Sequence, residues 1–169
     1  MKSTTVNISE TNKSYNIYVG SDFIHDRIEY YIKENAYFVV DAKVASLYRN
    51  IIPQNSSNVF IFQANEKTKT LSSVEKILLF LKNNGALRDS TLVAIGGGIT
   101  GDTAAFAASI YMRGIKLVQV PTTLLSMVDS SVGGKTGVNL QGIKNNVGSF
   151  YQPSEVLIDS YFLNSLSNK

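Results

Sequence analysis

A chain of 169 residues, 44% of them hydrophobic, can bury one sizeable core but is too short for two full domains, which predicts a single domain. The formal net charge of +3 is small, and basic residues are interspersed with acidic ones, which argues against a nucleic-acid partner. The absence of cysteine excludes disulfides, thiolate zinc sites and cysteine nucleophiles.

The first residues carry no sign of a targeting signal. The segment MKSTTVNISETNKSY lacks the apolar core of a signal peptide. No apolar run in the chain approaches the ~20 residues that a membrane-spanning helix requires. We therefore expect a cytoplasmic protein without a membrane partner.

The first elements predicted along the chain are two short strands. Apolar and polar residues alternate in Thr4–Ile8 and again in Tyr15–Gly20, and Asn12 and Lys13 lie between these strands as a plausible turn. The pattern predicts an antiparallel β-hairpin at the N-terminus.

After the hairpin, apolar runs alternate with helical stretches. In chain order these are the amphipathic stretch Asp22–Asn35, AYFVVD, the helix Lys43–Asn50, NVFIFQ, the helix Thr70–Asn84, STLVAIGGG, the helix Gly101–Met112 and IKLVQVP. Such alternation is typical of a parallel sheet covered on both faces. The predicted fold class is α/β, a Rossmann-like, doubly wound, mostly parallel sheet. Residues 122–169 are less regular and rich in glycine and polar residues, which favours a functional role for them.

The turn after the strand TLVAI fits the pattern G-x-G-x-x-G with Gly96, Gly98 and Gly101. Glycines at a strand-to-helix turn let the pyrophosphate of a dinucleotide approach free amides at the positive end of the helix. The alternative is a tight turn that lets Ala104 and Ala105 pack closely on the sheet. The position between strand and helix favours dinucleotide binding.

The acid that usually holds the ribose is missing from its normal place, because the next strand ends at Val120-Pro121-Thr122-Thr123. Asp41, at the end of the strand YFVVD, is a candidate for this contact. It fits equally well as the N-cap of the helix Lys43–Asn50. Asp102 is similarly ambiguous, since an acid in the first turn of a helix is stabilised by the helix dipole without a ligand.

A second glycine-rich stretch, VDSSVGGKTGVN, ends like an ATP-binding loop at Gly134-Lys135-Thr136. That loop requires a glycine at position 129, where this chain has Asp129. A carboxylate there would face the negative charge of the triphosphate, and no strand directly precedes the loop. The stretch therefore does not predict an ATP site.

Charged and amide side chains cluster in this region. They are Arg113, Asp129, Lys135, Lys144 and Asn145. Cations for a phosphate beside a carboxylate for hydroxyl groups suit a small, phosphorylated, hydroxyl-rich substrate. The alternative is that both lysines are solvated surface residues. The single histidine, His25, lacks the partners of a metal site and is predicted to be a surface or boundary residue.

The segments GGGITGD, YMRGIKLVQVPTTLLSMVDSSVGGKTGVN, KNNVGSFYQP and LID together resemble the N-terminal domain of the 3-dehydroquinate synthase family, a group of sugar phosphate cyclases. The resemblance runs from the VVD strand almost to the last residue. It implies an NAD-dependent lyase of the shikimate pathway that converts 3-deoxy-D-arabino-heptulosonate 7-phosphate to 3-dehydroquinate and phosphate. The implied steps are transient oxidation, phosphate elimination, re-reduction and intramolecular aldol closure.

The resemblance also implies which residues form the site. The segment NEKTK, for example, is similar to the G-E-x-x-K element of the family, which implies that Glu66 and Lys69 bind the cofactor. The implied cofactor-binding residues are Asp41, Glu66, Lys69, Gly97, Gly98, Ile99, Gly101, Asp102, Thr122, Thr123, Leu125, Lys135, Lys144, Phe162 and Ser165. The implied substrate-binding residues are Arg113, Asp129, Lys135, Lys144 and Asn145. Arg113 matches an arginine that reaches the phosphate in the neighbouring subunit, which implies a homodimer.

The resemblance implies a second, mostly helical domain, which we expect to lie outside residues 1–169. That domain carries one glutamate and two histidines as ligands of a divalent metal, zinc or cobalt. We therefore expect residues 1–169 to be the N-terminal NAD-binding domain of a two-domain enzyme. The chain should keep part of the NAD site, hold no metal ligands or complete catalytic set, and be inactive alone.

Two other functions stay open. The first is another sugar phosphate cyclase, or a metal-dependent alcohol or glycerol dehydrogenase, which share a G-G-G-x-x-x-D turn. The second is a non-catalytic module that binds NAD(H) or only dimerises. The stretch VDSSVGGKT favours 3-dehydroquinate synthase over the dehydrogenases.

Overall fold

The structure is a computed structural model that describes residues 1–8, 13–53 and 56–166. Its strands are β1 Lys2–Ile8, β2 Lys13–Gly20, β3 Tyr37–Asp41, β4 Val59–Phe62, β5 Thr91–Gly96, β6 Lys116–Pro121, β7 Lys135–Leu140, β8 Ile143–Phe150 and β9 Glu155–Asp159. Its α-helices are α1 Ile24–Lys33, α2 Ala42–Leu47, α3 Leu71–Asn83 and α4 Gly98–Ile110. Shorter helical turns are Tyr111–Arg113, Ser126–Ser130 and Ser160–Ser165.

Seven strands form the main sheet in the order β1-β2-β9-β6-β5-β3-β4. Only β1 and β2 pair antiparallel, and the other neighbours are parallel. The predicted α/β fold with an N-terminal hairpin is therefore confirmed. Both hairpin strands begin earlier than predicted, at Lys2 and Lys13, and the predicted turn residue Asn12 lies outside the described residues.

Alternate residues of the central strands pack into two apolar layers. In β5, Val93 and Ile95 belong to the layer formed with α1 and α2, whereas Leu92 and Ala94 belong to the layer formed with α3 and α4. All four side chains are buried. Burial on both faces explains why this strand reads as an uninterrupted apolar run.

Helix α4 begins at Gly98, not at Gly101 as predicted, and ends at Ile110. Ala104 and Ala105 are buried against the sheet, so close packing and a glycine turn occur together. Among the helices in the described ranges, the longest have 13 residues, and none offers the apolar length that a membrane crossing requires.

The prediction that residues 122–169 are irregular is wrong in two places. Strands β7 and β8 form an antiparallel hairpin outside the main sheet, and β9 lies in the main sheet between β2 and β6. The hairpin turns at Gln141 and Gly142, whose φ angles of 49° and 83° allow a two-residue turn. Val138 of β7 is buried in the layer of α3 and α4, which fixes the hairpin on α4.

The strand order reverses between β3 and β5. These strands are neighbours, yet the chain runs from β3 to β4 on one side and returns to β5 on the other. In open α/β sheets, ligands bind beyond the carboxyl ends of the strands at such a reversal. Asp41 ends β3 and Gly96 ends β5. The residue predicted to bind the ribose and the glycine turn therefore both lie at this point.

Candidate functional site

A cavity of about 290 Å³ lies at the reversal of strand order, and we call it the reversal cavity. One side is largely apolar and is formed by Val44, Leu47 and Tyr48 of the α2 region together with Leu166. The other side is formed by residues 97–100 at the start of α4. A flat apolar group therefore fits on one side and an anion on the other.

The glycine turn offers backbone amides to the reversal cavity. Gly97 is the N-cap of α4 and has no side chain, so no side-chain cap occupies the amides of the first turn. A Cβ atom at Gly97 would lie 3.2 Å from Cγ2 of Thr123, and one at Gly98 would lie 3.1 Å from Oγ of Ser130. The close approach of backbone to its surroundings, at the positive end of a helix, suits a pyrophosphate.

Asp41 is the N-cap that one interpretation of the sequence predicted, and its position is compatible with the other interpretation, a contact with a ribose. Its Oδ1 accepts hydrogen bonds from the backbone N–H groups of Lys43 at 2.7 Å and Val44 at 3.3 Å, which makes it the N-cap of α2. The side chain also lines the reversal cavity. Within the described ranges Oδ2 makes no hydrogen bond, so this oxygen is available to a hydroxyl group of a ligand.

A larger cavity of about 580 Å³ lies between α4 and the β7–β8 hairpin, and we call it the hairpin cavity. Asp102, Asp129, Lys135 and Asn145 all line it. Three residues of the predicted substrate cluster are therefore brought together. Lys135 forms no ion pair within the part of the chain that the structure describes, so its charge is available to an anion.

Lys69 connects helix α4 with the hairpin. Its Nζ donates to Oδ2 of Asp102 at 2.5 Å and to Oδ1 of Asn145 at 2.6 Å, and the residue is only 6% exposed. Burial raises the pKa of Asp102, the hydrogen bond and charge of Lys69 lower it, and repulsion from Asp129 raises it, with a net upward shift. The ionised form of Asp102 therefore depends on Lys69.

Asn139 of β7 is a site residue that the sequence analysis missed. Its carboxamide Nδ2 donates to Oε1 of Glu66 at 2.8 Å, and its Oδ1 accepts from the backbone N–H of Asn145 at 2.9 Å. Its own N–H donates to the backbone carbonyl of Lys69 at 2.9 Å. A single asparagine in a strand carries no signal for partners so far away in the sequence, so the contacts appear only in the fold.

Two residues of the predicted cluster lie elsewhere. Lys144 is 72% exposed at its side chain and lies 3.6 Å from Oε1 of Glu66, beside a third cavity of about 280 Å³. Arg113 is exposed beyond the far end of α4, a helix ~20 Å long, and its φ of 67° is left-handed. Neither residue lines the hairpin cavity.

The remaining predicted cofactor residues fall into two groups. Ile99, Thr122, Thr123 and Ser165 line the reversal cavity together with the glycine turn. Gly101, Leu125 and Phe162 do not line it. Gly101 instead permits close packing, because a Cβ there would lie 3.0 Å from Oε1 of Gln119. Leu125 is 69% exposed, and Phe162 is fully buried against Tyr48.

The described residues fit NAD better than they fit a metal. At Gly97 and Gly98, a side chain would fill the space beside the backbone that a ligand could occupy. Across residues 1–8, 13–53 and 56–166, no three His, Cys, Asp or Glu side chains are grouped to hold a metal ion. His25 is exposed and makes an edge contact with Tyr161. No catalytic step through a metal is derived from these residues.

Comparison with known proteins identifies similar sequences and folds. The family described as 3-dehydroquinate synthase N-terminal matches residues 59–169. The 3-dehydroquinate synthase of Pelagibacter ubique (strain HTCC1062) is 42% identical over 172 residues, which cover 96% of this chain and 46% of the relative. The chain thus spans about half the length of the curated relatives it matches.

Two solved structures share the fold. The 2-epi-5-epi-valiolone synthase from Streptomyces hygroscopicus subsp. jinggangensis 5008, with NAD⁺ and Zn²⁺ bound, is 30% identical with a TM-score of 0.82, covering 92% of this chain and 45% of that one. A 2-deoxy-scyllo-inosose synthase complexed with carbaglucose-6-phosphate, NAD⁺ and Co²⁺ is 31% identical with a TM-score of 0.77. The match covers 97% of this chain and 47% of that one.

Proposed function

The chain belongs to the 3-dehydroquinate synthase N-terminal family, and from that premise we propose that it is the NAD-binding domain of a 3-dehydroquinate synthase. The whole enzyme would convert 3-deoxy-D-arabino-heptulosonate 7-phosphate to 3-dehydroquinate and phosphate. One observation supports this most: the reversal cavity and the hairpin cavity both border the start of α4, the first at residues 98–100 and the second at Asp102. A dinucleotide in the first would bring its reactive end toward a substrate in the second.

In this proposal the reversal cavity holds the adenosine and pyrophosphate of NAD. Oδ2 of Asp41 accepts from a ribose hydroxyl, and the free amides of residues 98–100 bind the pyrophosphate. Tyr48 and Leu47 cover the adenine ring. The solved relatives with NAD⁺ bound, at 30% and 31% identity, support this use of the fold.

The hairpin cavity holds the sugar phosphate in this proposal. Lys135 supplies an unpaired cation and Asn145 a carboxamide for the phosphate, while Asp129 accepts from the hydroxyl groups. Bound NAD would supply reversible hydride transfer. The residues of this chain bind and orient the two molecules, and Lys69 holds Asp102 ionised beside them.

We further propose that the whole enzyme is a cytoplasmic homodimer in which Arg113 reaches the phosphate site of the neighbouring subunit. Its exposure at the far end of α4, away from both cavities of its own chain, supports this role. We also propose that this chain binds NAD but releases no phosphate from the heptulosonate alone, because its described residues offer no metal site. Phosphate release by the purified chain with NAD and zinc would refute the latter proposal.

Calorimetric titration with NAD tests the cofactor site, and substitutions at Asp41 sharpen the test. Asp41→Ser keeps a good N-cap for α2 but is too short to reach the ribose, whereas Asp41→Ala loses both functions. Loss of a charged hydrogen bond to the ribose predicts about tenfold or greater weakening of NAD binding in both variants. Only Asp41→Ala should also lose about 1 kcal/mol of stability. Failure of the wild-type chain to bind NAD would contradict the proposal.

Another sugar phosphate cyclase is the second candidate, because both solved relatives described above are cyclases with other products. The higher identity of 42% to a 3-dehydroquinate synthase favours the first candidate. Phosphate release by the whole enzyme, measured with the heptulosonate phosphate and with a hexose 6-phosphate, separates the two. Turnover of the hexose phosphate alone would favour the second candidate.

A further inference from the structure

Asn139 lies where strand β7 departs from regular pairing. Val138 pairs with Val147 and Leu140 pairs with Ile143, with a register shift between them. Asn139 instead forms an isolated parallel bridge with Thr70. The irregularity therefore turns one residue of the hairpin toward the segment that precedes α3. That segment, residues 66–69, contains Glu66 and Lys69 and is called the cofactor loop below.

The side chain of Asn139 bridges the cofactor loop and the hairpin cavity. One end donates to the carboxylate of Glu66, and the other accepts from the backbone N–H of Asn145. A carboxamide carries its donor and its acceptor on two separate atoms, so one short side chain can serve both partners at once. Aspartate would lose the donor and repel Glu66, and leucine would lose both bonds.

Asn145 is held at two points as a result. Its backbone N–H is bound by Asn139, and its side-chain oxygen is bound by Lys69. The residue has a φ of 50°, the left-handed conformation that asparagine adopts more readily than most residues other than glycine. The contacts with Asn139 and Lys69 hold the backbone amide and the side chain of Asn145 in this conformation.

We propose that Asn139 is a positioning residue that couples the cofactor loop to Asn145 in the hairpin cavity. The proposal rests on the function proposed above, in which Asn145 serves the substrate phosphate, together with the family resemblance, which implies that Glu66 serves NAD. Asn139 acts on NAD through Glu66 and on phosphate through Asn145. These two effects are separable by mutation.

The test measures binding of NAD and of inorganic phosphate to four chains. They are the wild type, Asn139→Leu, Glu66→Ala and the double variant. Asn139→Leu keeps the backbone bond to Lys69 and has a similar volume, so we expect it to weaken NAD and phosphate binding about five- to tenfold each. In the Glu66→Ala background, Asn139→Leu should weaken NAD binding no further but should still weaken phosphate binding.

A general loss of structure would give a different result. It would weaken NAD binding by the same factor in both backgrounds, and this outcome would overturn the proposal. Wild-type affinity for both ligands in Asn139→Leu would overturn it too. Asn83→Leu is the matched control, since Asn83 is exposed and its side chain makes no hydrogen bond within the described ranges. It should bind both ligands like the wild type.

Hydrogen exchange separates a failure of this inference from a failure of the proposed function. Absence of NAD and phosphate binding in the wild-type chain would count against the function. The amide of Asn145 should nevertheless exchange about tenfold faster in Asn139→Leu, because its acceptor is gone. Unchanged exchange at Asn145 would overturn the positioning role, whatever the ligands do.

Discussion

Nζ of Lys69 lies 2.5 Å from Oδ2 of Asp102, and their side chains are only 7% and 19% exposed. The pair joins the cofactor loop to the second turn of α4. Because both charges are largely removed from water, each depends on the other for compensation. Removing one partner should therefore cost more stability than removing one partner of a surface ion pair would.

Replacing Lys69 tests this dependence. Lys69→Met leaves the carboxylate of Asp102 buried without a cation and should lower the free energy of unfolding by about 3–5 kcal/mol. Adding Asp102→Asn removes the uncompensated charge and should restore much of the loss. Urea unfolding at neutral pH measures the stability of the single and the double variant, with the exposed Lys67→Met substitution as the control. A Lys69→Met chain as stable as the wild type would contradict the interpretation.

Asp159, at the end of β9, is a second buried carboxylate that holds separate parts of the chain together. It is fully buried, and its carboxylate accepts four backbone hydrogen bonds, from Asp22, Phe23, Ile24 and Tyr161. Asp159→Ala leaves these donors unsatisfied and should destabilise the fold by at least about 3 kcal/mol. Asp159→Asn should cost less because one acceptor oxygen remains. Thermal unfolding of the two Asp159 variants, with the exposed Asp26→Ala substitution as the control, checks this ranking of stabilities. Equal stability of all three variants would contradict it.

The sequence was sufficient to predict the elements that are buried on both faces. Strands β3, β5 and β6 read as continuous apolar runs, so their order of appearance indicated a parallel sheet. Their carboxyl ends carry Asp41, the glycine turn and Thr122. The reversal cavity was therefore foreseeable from the strand ends alone.

The hairpin cavity was harder to foresee because β7 and β8 are polar, rich in glycine and separate from the main sheet. Lys144 and Asn145 illustrate the difficulty. Asn145 has a left-handed φ of 50°, so the alternation of side chains along a strand does not predict which of the two residues lines the cavity. Spacing in the sequence grouped Lys144 and Asn145 with Lys135. In the fold only Asn145 joins Lys135 in the hairpin cavity, and Lys144 lines the third cavity.

The close approach of β7 and β8 depends on Gly148. A Cβ atom there would lie 1.9 Å from the carbonyl oxygen of Thr136, which belongs to the backbone and cannot rotate away. Gly148→Ala should therefore displace the hairpin and abolish measurable phosphate binding in its cavity. Gly142→Asn is the matched control, since position 142 has open space and asparagine tolerates its left-handed φ of 83°. Hydrogen exchange along β7 should rise in Gly148→Ala only, and unchanged exchange there would refute the steric argument.

The pKa values of the Asp102 and Glu66 carboxyl groups should depart from their ordinary values in opposite directions. The pKa of Asp102 is raised, with burial as the largest cause. The pKa of Glu66 is lowered, chiefly because Asn139 donates to its carboxylate and further because Lys144 and Lys69 are near. Carbon-13 chemical shifts of the two carboxyl groups, followed from neutral to acidic pH, measure the direction of each pKa shift.

The two shifts have opposite consequences for stability. Glu66 has a folded pKa below its unfolded value, so its contribution is present above the unfolded pKa and is lost as pH falls through the folded pKa. Asp102 has a folded pKa above its unfolded value, so its ionised form opposes folding at neutral pH, and this cost is relieved as pH falls through the folded pKa. Asn139→Leu should raise the pKa of Glu66 toward its ordinary value and leave that of Asp102 in place. If Glu66 titrates identically in that variant, the hydrogen bond from Asn139 is not the cause of its shift.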